Sequence, residues 1–408
     1  MKYLATLTIL LFLISSNEIL QAQWIQTNGP YGGIVNCLAV SGTNLFAGTD
    51  NGVFLSTNNE SSWTAVNNGF PSNPQIVALT DSGTNIFAGI KDRVYFSTNN
   101  GTNWTAFNHS FDNYYLSALA VYGTNLIAGT SGGTSNPGGV YLSTDNGTSW
   151  GSVLGGGFLF VISLNVSGTN CLAGTDNGAF LSTDNGTSWT IVNNGLTNFY
   201  VTAFAGSGTN LFAGTQRGVY LSTNNGTSWT AVNDGFPSNP KIGTLVVNGS
   251  NIFAGTNGGG VYLSTNNGSS WTIVNSGLTN YYVTALAISG TNIFAGTQGA
   301  GVWKRPLSDL TAVTKEINDS PKDYILAQNY PNPFNPSTLI TYSLPSSSNV
   351  KLVVYNTLGQ SIKIIDNEYK QAGSYSINFN ASDLPSGIYF YKLEAGQFSQ
   401  IKKMILIK

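Results

Sequence analysis

Residues 42–49 form the octapeptide Gly42-Thr43-Asn44-Leu45-Phe46-Ala47-Gly48-Thr49, and six closely similar octapeptides follow along the chain. Their first residues succeed one another at intervals of 40 to 45 positions, at Gly83, Gly123, Gly168, Gly208, Gly249 and Gly290. Self-similarity at a period of this length indicates a repeat architecture, in which each repeat is one supersecondary unit that buries its apolar faces against its neighbours. The period therefore decides the fold class.

Four short strands are predicted around each octapeptide. In the first repeat they are Val35–Val40, Leu45–Gly48, Val53–Ser56 and Trp63–Val66. Apolar and small residues fill most of each strand, as is typical of sheets that are covered on both faces. Asn-Gly and Asp-Gly pairs between the strands favour tight hairpin turns. The repeat is thus predicted to be a small four-stranded antiparallel sheet, the blade of a β-propeller.

Tryptophans fix the number of blades. One begins each predicted fourth strand, at Trp63, Trp104, Trp150, Trp189, Trp229 and Trp271. The seventh repeat ends with its third strand, at Trp303, whereas Trp24-Ile25-Gln26-Thr27 has the sequence of a fourth strand with no strands before it. An N-terminal strand that completes the last blade removes the open edges of the array. The sequence predicts an all-β protein with a seven-bladed β-propeller, residues 23–305, closed by its N-terminal strand.

A Ser-x-Asx-x-Gly-x-x-Trp box precedes each of these fourth strands. The Asx side chain is predicted to cap backbone amides of the turn, glycine supplies a positive φ, and tryptophan packs into the core. The Asx positions are Asn58, Asn99, Asp145, Asp184, Asn224 and Asn266. The boxes resemble the Asp-box (BNR-type) repeats of sialidases, sortilin-type receptors and photosystem II assembly-factor-like propellers. The resemblance implies a propeller fold, and a structural role for the box in preference to calcium binding or catalysis.

Strand direction divides the loops between two faces. One face, made of Ser-Gly-Thr-Asn turns and Asp-boxes, is uniform; we call it the box face. The other carries the loops between strands two and three and the loops between blades, which differ among repeats; we call it the variable face. A binding site is expected on the variable face, around the mouth of the central channel. The candidate residues are Tyr115, Tyr200, Tyr282, Asp92, Arg93 and Arg217.

Aromatic rings beside amide and acidic groups suit a glycan or protein ligand. The candidate tyrosines belong to a ring of positions just before strand one, which comprises Gln75, Tyr115, Phe160, Tyr200, Lys241 and Tyr282. The alternative is that these aromatics plug the channel mouth or pack between blades. A non-catalytic binding module is the favoured function, and a structural spacer without a ligand is a further alternative.

A glycan-degrading hydrolase of sialidase-like fold is the main alternative function. Glycosidases need paired carboxylates, yet Glu60, inside an Asp-box, is the only glutamate in residues 23–305. Sialidases use an arginine cluster with a tyrosine-glutamate pair, whereas Arg93, Arg217 and Arg305 are predicted on separate blades. Asp50, Asp92 and Asp176 on the variable face keep an aspartate-only hydrolase open. No catalytic residue, metal site or cofactor is predicted.

The N-terminal segment predicts an extracellular protein. Residues 1–22 have a basic start, an apolar run and a small residue at Ala22, as in a signal peptide. No later segment is apolar enough to predict a transmembrane span, and a net charge of −2 gives no basis for binding nucleic acid. Cys37 and Cys171 occupy different columns of distant repeats, so they are predicted to be free, buried thiols.

The pattern changes after the propeller. Residues 306–324 are polar and are predicted to be a linker, and residues 325–408 a small immunoglobulin-like β-sandwich. Its predicted strands are Thr338–Ser343, Lys351–Tyr355, Ser374–Phe379 and Ile388–Leu393. A bland accessory domain is one interpretation of this segment.

Several motifs in a fixed order favour a more specific interpretation of residues 325–408. They are Asn329-Tyr-Pro-Asn-Pro-Phe334, Tyr355-Asn-Thr-Leu-Gly-Gln360, Leu384-Pro-Ser-Gly-Ile-Tyr-Phe-Tyr-Lys392 and a basic C-terminal end. The segment resembles the type A sorting domain of the type IX secretion system. The resemblance implies that the type IX machinery is a partner, and that the protein is secreted or held on the outer-membrane surface.

Overall fold

The structure is a computed structural model, which describes residues 23–30, 33–58, 61–83, 85–111, 114–132, 138–155, 159–168, 170–207, 209–311, 323–329, 332–370 and 373–407. The predicted signal peptide, Glu60 and residues 312–322 of the predicted linker lie outside these ranges. The chain divides into two compact units, Met1–Leu310 and Thr311–Lys408.

The first unit consists of seven four-stranded antiparallel sheets. Strand β1 is Ile25–Gln26. Blade one contains β2–β5: Val35–Ser41, Asn44–Thr49, Gly52–Ser56 and Thr64–Ala65. Blade two contains β6–β9: Ala78–Ser82, Asn85–Ile90, Arg93–Ser97 and Thr105–Ser110. Blade three contains β10–β13: Tyr114–Tyr122, Asn125–Gly132, Gly139–Ser143 and Gly151–Leu154.

The remaining blades follow the same plan. Blade four contains β14–β17: Val161–Ser167, Asn170–Thr175, Gly178–Ser182 and Thr190–Ile191. Blade five contains β18–β21: Val201–Ser207, Asn210–Thr215, Gly218–Ser222 and Thr230–Ala231. Blade six contains β22–β25: Ile242–Asn248, Asn251–Thr256, Gly260–Ser264 and Thr272–Ile273. Blade seven contains β26–β28: Val283–Ser289, Asn292–Thr297 and Val302–Pro306.

Strand β1 completes blade seven, as predicted. It pairs antiparallel with β28, with Ile25 opposite Lys304 and Gln26 opposite Trp303. The Thr27 amide donates to the Val302 carbonyl at 2.9 Å. Trp24 is 2% exposed, and its indole N–H donates to the Val274 carbonyl of blade six at 2.7 Å. The ring is thus closed by residues from the two ends of the propeller sequence.

Neighbouring blades meet at the second glycine of each octapeptide, which is its seventh residue. A Cβ on Gly129 would lie 2.4 Å from Val161 Cγ1, and one on Gly214 would lie 2.5 Å from Ile242 Cγ2. Across the closure, a Cβ on Gly296 would lie 2.5 Å from Val35 Cγ1. These distances are well inside van der Waals contact. The absence of a side chain at this position lets the first strand of the next blade approach, and this explains why the octapeptide keeps Ala-Gly.

Hydroxyl groups add a second link between blades. A β-bulge lies near the start of the innermost strand in several blades, for example between Leu116 and Ala118. The residue in the bulge, Ser117, donates to the Val161 carbonyl of the next blade at 2.6 Å. Thr202 does the same to Ile242 at 2.7 Å. The bulge therefore directs a polar side chain across the blade interface.

Residues 306–311 continue the regular structure of the first unit. A short helix, α1, is formed by Ser308–Thr311. The Leu307 amide donates to the Thr291 carbonyl at 2.8 Å, and Leu310 is fully buried. Leu310 lies in the stretch that is predicted from sequence to be a linker, and it packs as core.

The second unit is a two-sheet β-sandwich. One sheet has the order β29-β30-β33 and the other β32-β31-β34-β35. In chain order β29–β35 are Ile325–Leu326, Ser337–Leu344, Ser348–Tyr355, Ser361–Lys370, Gly373–Asn380, Gly387–Ala395 and Phe398–Leu406. Alternating side chains of both sheets form one core, which includes Tyr342, Tyr391 and Met404. The four strands predicted from sequence are present, and three further strands complete the sandwich.

The Asn-Tyr-Pro-Asn-Pro-Phe motif borders the last strand of this sandwich. Asn332 Oδ1 accepts from the Ile405 amide at 2.9 Å, and the Phe334 amide donates to the Ile405 carbonyl at 2.9 Å. The Asn329 amide donates to the Tyr391 hydroxyl at 2.7 Å. The motif thus satisfies backbone groups along the edge of β35 and connects the start of the domain to its end.

Deleting residues 23–33 should expose the edge of β28 and empty the Trp24 site. We expect a large fall in melting temperature and a tendency to aggregate, because unpaired strand edges recruit other chains. Ile25→Ser is the control, since that side chain is 53% exposed and its replacement keeps the strand. An unchanged melting curve for the deletion variant would show that the ring closes in another way.

Candidate functional site: the two faces of the propeller

The Asp-box is a closed hydrogen-bonded turn. In blade three Ser143 Oγ donates to Asp145 Oδ1 at 2.8 Å, and Asp145 Oδ1 also accepts from the Ser149 amide at 2.8 Å. The Ser149 hydroxyl donates to Asp145 Oδ2 at 2.5 Å. Asn146 and Gly147 both adopt positive φ, 55° and 87°. The carboxylate oxygens of the box therefore already serve the turn.

In four boxes asparagine replaces aspartate, and one hydrogen bond of the turn then runs in the opposite direction. Asn224 Oδ1 accepts from the Ser222 hydroxyl and the Ser228 amide, as an aspartate does. Its Nδ2 then donates to Ser228 Oγ at 2.8 Å, so the serine hydroxyl becomes the acceptor. Because a hydroxyl can take either role, both residues close the same turn. The other three asparagines, Asn58, Asn99 and Asn266, also accept from the serine two residues earlier.

The two aspartates differ from the asparagines in their response to pH. Hydrogen bonds from the side chain and amide of Ser149 lower the pKa of Asp145 to about 2. Equivalent bonds from Ser188 lower the pKa of Asp184 still further. A carboxylate held ionised by donors of its own turn is a poor general acid, which favours the structural role over chemistry.

Five of the six tryptophans after the boxes fall into two groups. Trp104, Trp229 and Trp271 are buried, and each indole N–H donates to a backbone carbonyl of the preceding blade, at Val66, Val192 and Val232. Trp150 and Trp189 instead donate to Gly147 and Gly186 of their own boxes, at 3.1 and 3.0 Å. Both are only half-buried. The tryptophans of blades three and four therefore lack the polar link to the preceding blade.

Part of each inter-blade loop on the variable face belongs to the core. The Phe70 ring lies 4.7 Å from Tyr95 and 4.9 Å from Trp104, and Phe236 packs in the same way on Tyr262 and Trp271. Leu196 and Leu278 are buried at the equivalent position. These loops were predicted as variable binding loops. Their recurring Asn-x-Gly-Phe or Asn-x-Gly-Leu portion was the sequence signal that half of each loop is structural.

The positions before strand one form a ring around the channel mouth. The first strands of successive blades contact one another, so they are the innermost strands. In this ring the Tyr200 carbonyl accepts from the Gln216 amide and the Tyr282 carbonyl from the Gln298 amide. The side chains of Tyr115, Tyr200 and Tyr282 are 45%, 40% and 50% exposed. Such exposure leaves these rings available to a ligand.

The other candidate residues are spread over several blades. Lys91 Nζ lies 4.8 Å from the centre of the Tyr115 ring, next in sequence to the exposed Asp92 and the half-buried Arg93. Arg217 is exposed beside Gln216 on blade five. The structure thus places Tyr115 near the Lys91–Arg93 segment and Tyr200 near Arg217, whereas Tyr282 stands beside Asn280 and Gln298 on blade seven. The six residues surround the mouth and do not line one pocket.

Two aspartates at the mouth are hydrogen-bonded within the fold. Asp50 Oδ1 accepts from Asn36 Nδ2 at 2.9 Å and from Gln75 Nε2 at 3.0 Å. Asp176 Oδ1 accepts from the Phe160 amide at 3.0 Å. Within the described residues no group of three or more His, Cys, Asp or Glu side chains could hold a metal ion.

Both cysteines have raised thiol pKa values in this fold. Cys37 and Cys171 are free. Burial raises the pKa of the Cys37 thiol to about 12 and that of Cys171 to about 11. Since the thiolate is the reactive form, neither residue is a candidate nucleophile.

Fold and site together define a β-propeller protein with a separate C-terminal β-sandwich. Residues 328–408 match the family described as secretion system C-terminal sorting domain, which marks proteins exported by the type IX system. The protein is therefore secreted, extracellular or at the cell surface. In the part of the chain that the structure describes, no helix is long and apolar enough to cross a membrane. No curated protein matches the sequence.

Several solved structures share the propeller fold. YCF48 from Cyanidioschyzon merolae is 14% identical with a TM-score of 0.55, covering 70% of this chain and 98% of YCF48. A second YCF48 structure, with D1 peptide bound, has a TM-score of 0.56 and 14% identity, covering 72% of this chain and 97% of that one.

Two longer proteins are also similar. PorZ of Porphyromonas gingivalis, an essential surface component of the type IX secretion system, is 14% identical with a TM-score of 0.54; the match covers 94% of this chain and 61% of PorZ. The GH74 xyloglucanase of Xanthomonas campestris is 15% identical with a TM-score of 0.57, covering 79% of this chain and 59% of the enzyme. The present chain thus spans about three fifths of each. At these identities the likeness establishes the fold alone.

The two groups of tryptophans should differ in stability. Trp229→Ala should cost ~3–5 kcal/mol in free energy of unfolding, the range for emptying a buried aromatic site, with the link to Val192 lost as well. Trp189→Ala should cost clearly less, because that ring is half-exposed and donates only within its own turn. Chemical denaturation of both variants measures the difference. Equal losses would contradict the distinction between the groups.

The two boxes with aspartate should make the stability of the protein depend on pH in the acidic range. The lowered pKa of Asp145 means that its contribution is complete above its unfolded pKa of about 3.9 and is lost as the pH falls towards 2. The double variant Asp145→Asn and Asp184→Asn keeps the turn, as the natural asparagine boxes show. We expect its melting temperature to fall less than that of the parent between about pH 5 and pH 2.5. Parallel curves would indicate that the carboxylates contribute nothing.

Proposed function

We propose that the protein is a non-catalytic binding module that the type IX system exports, and that its propeller binds a glycan or protein ligand on the variable face. The observation that carries the proposal is the set of three tyrosines, Tyr115, Tyr200 and Tyr282, exposed at equivalent positions around the channel mouth. Large, rigid aromatic rings with few rotatable bonds are the usual anchors of binding surfaces.

The contrast between the two faces supports this assignment. On the box face the Asx side chains are hydrogen-bonded within their own turns, so they offer few free groups to a ligand. On the variable face Lys91 Nζ lies 4.8 Å from the centre of the Tyr115 ring, and Arg217 is exposed on blade five. Aromatic and cationic side chains together are enriched in recognition surfaces.

Two of the similar proteins favour a binding role by analogy of fold. YCF48 binds a peptide on a propeller of similar length, and PorZ is a surface component of the secretion system to which the sorting domain directs this chain. We further propose the domain boundaries expected from sequence: a signal peptide at 1–22, the propeller from 23, and a sorting domain at 325–408 that engages the type IX machinery.

A glycan hydrolase is the second candidate, because GH74 enzymes share the fold and because Asp50, Asp92 and Asp176 lie on the variable face. Hydrogen bonds from Asn36 and Gln75 to Asp50 favour a structural role for that carboxylate. Activity on chromogenic glycosides and xyloglucan tests this candidate directly. If hydrolysis is found, replacing each aspartate by asparagine should identify the essential carboxylate.

Replacing the tyrosines should weaken ligand binding without unfolding the protein. After a glycan and peptide screen with the mature protein, Tyr115→Ala, Tyr200→Ala and Tyr282→Ala should each reduce affinity by ~1–3 kcal/mol, the scale of an interface anchor. Asn58→Asp and Asn224→Asp on the box face are matched controls, since other boxes carry aspartate, and should leave affinity unchanged. Melting curves recorded in parallel separate binding from stability. Affinity that falls only with the box variants would overturn the face assignment.

A further inference from the structure

Blade two departs from the other blades on the side that faces blade three. The third-strand position occupied by leucine at Leu55, Leu142, Leu181, Leu221 and Leu263 is Phe96 here. The fourth-strand position occupied by valine at Val66, Val153, Val192, Val232 and Val274 is Phe107. Strand β9 also runs from Thr105 to Ser110, whereas the outermost strands of blades one, four, five and six have two residues each. Blade two thus carries two additional aromatic rings, Phe96 on its third strand and Phe107 on an extended outer strand.

These rings form an ordered stack. Phe96 and Phe107 lie 4.7 Å apart with an interplanar angle of 21°, and Phe87 lies 6.3 Å from Phe107 at 17°. A Cβ on Gly147, in the Asp-box of blade three, would lie 2.4 Å from the Phe107 ring. The box of blade three therefore rests on Phe107 and holds it in position. Phe87 and Phe107 are buried and form a rigid backing for the half-buried Phe96 ring, so Phe96 loses little entropy when a ligand covers it.

The stack is the floor of a cavity of about 490 Å³ between blades two and three, which we call the blade-two cleft. Its polar lining residues are Asn85, Thr105, Asn108, Asn146 and Thr148. They come from the turn between strands one and two, from β9 and from the box of blade three, so the cleft opens on the box face. The volume lies within the range of small-molecule sites.

The chemical character of the lining residues indicates which class of ligand the cleft would bind. None of the described residues that line the cleft is charged, so an anion or cation bound there would lose hydration without a counter-charge. Amide and hydroxyl groups around the half-buried Phe96 ring match a ligand with hydroxyls on its rim and C–H groups on its faces. A neutral saccharide has this character.

We propose that the blade-two cleft is a binding site for a neutral oligosaccharide, distinct from the tyrosine ring on the opposite face. Phe96, which is half-buried, would stack on a sugar ring with Phe107 packed behind it, and Asn85, Asn108 and Asn146 would hydrogen-bond hydroxyls. The proposal does not depend on the function assigned to the variable face, because no residue is shared between the two sites.

The repeats themselves supply the test variant. The double substitution Phe96→Leu and Phe107→Val gives blade two the residues that most other blades carry at both positions, so it should fold. Cellotetraose, xylotetraose and mannotetraose are the neutral probes, and tetragalacturonate is the anionic one. Saturation-transfer NMR and calorimetry with the full mature chain measure binding, and Tyr200→Ala is the control for the opposite face.

We expect saturable binding of at least one neutral probe, weakened about tenfold or more by the double substitution, since each factor of ten corresponds to ~1.4 kcal/mol of lost contact. Tyr200→Ala should leave this binding unchanged, and tetragalacturonate should bind more weakly. The site is overturned if no neutral probe binds, if the double variant binds as the parent does, or if tetragalacturonate binds more tightly. Binding that is lost only with Tyr200→Ala would place the sugar at the channel mouth, which would leave the proposed function standing and refute the cleft.

Discussion

Each pair of neighbouring blades meets where a glycine of one second strand faces an aliphatic side chain of the next first strand. Gly129 faces Val161, Gly214 faces Ile242, and Gly296 faces Val35 across the closure, each too closely for a Cβ. The contact recurs between all the blades, so a small error in its spacing would accumulate around the ring. Packing of this density tolerates little change of volume. The octapeptide is therefore nearly uniform, and most variation lies outside the contact, in loops and at a few strand positions such as Phe96 and Phe107.

The periodicity of the sequence predicts the architecture because it is set by this repeated contact. The Trp24 strand has no other strands before it, and the seventh repeat ends at Trp303 without a fourth strand. Together they predict the closure, because the first supplies what the second lacks. Other features depend on how side chains pack in the folded protein, and the repeat period of the sequence does not show them. Trp150 and Trp189 occupy the same column as Trp229, yet their indoles turn to their own boxes. Phe70 belongs to a loop but packs as core.

The candidate sites follow the same division. The tyrosine ring was predictable, because Tyr115, Tyr200 and Tyr282 share one column at the start of an inner strand. The blade-two cleft was not, although its signal is present in the sequence. Phe96 and Phe107 are apolar replacements of apolar residues, and only their stacking beneath the box of blade three makes a cavity. Both proposed sites thus lie where repeats depart from one another, and the sorting domain marks the chain for export.

The central claim is that residues from both ends of the propeller sequence share blade seven as one cooperative unit. Native-state hydrogen exchange tests it at the Thr27 amide, which donates to the Val302 carbonyl at 2.9 Å. If the ring is closed as described, this amide should exchange with the same opening free energy as amides of β19, because both open only on global unfolding. Exchange of Thr27 at the rate of an unstructured peptide, while β19 stays protected, would contradict the account.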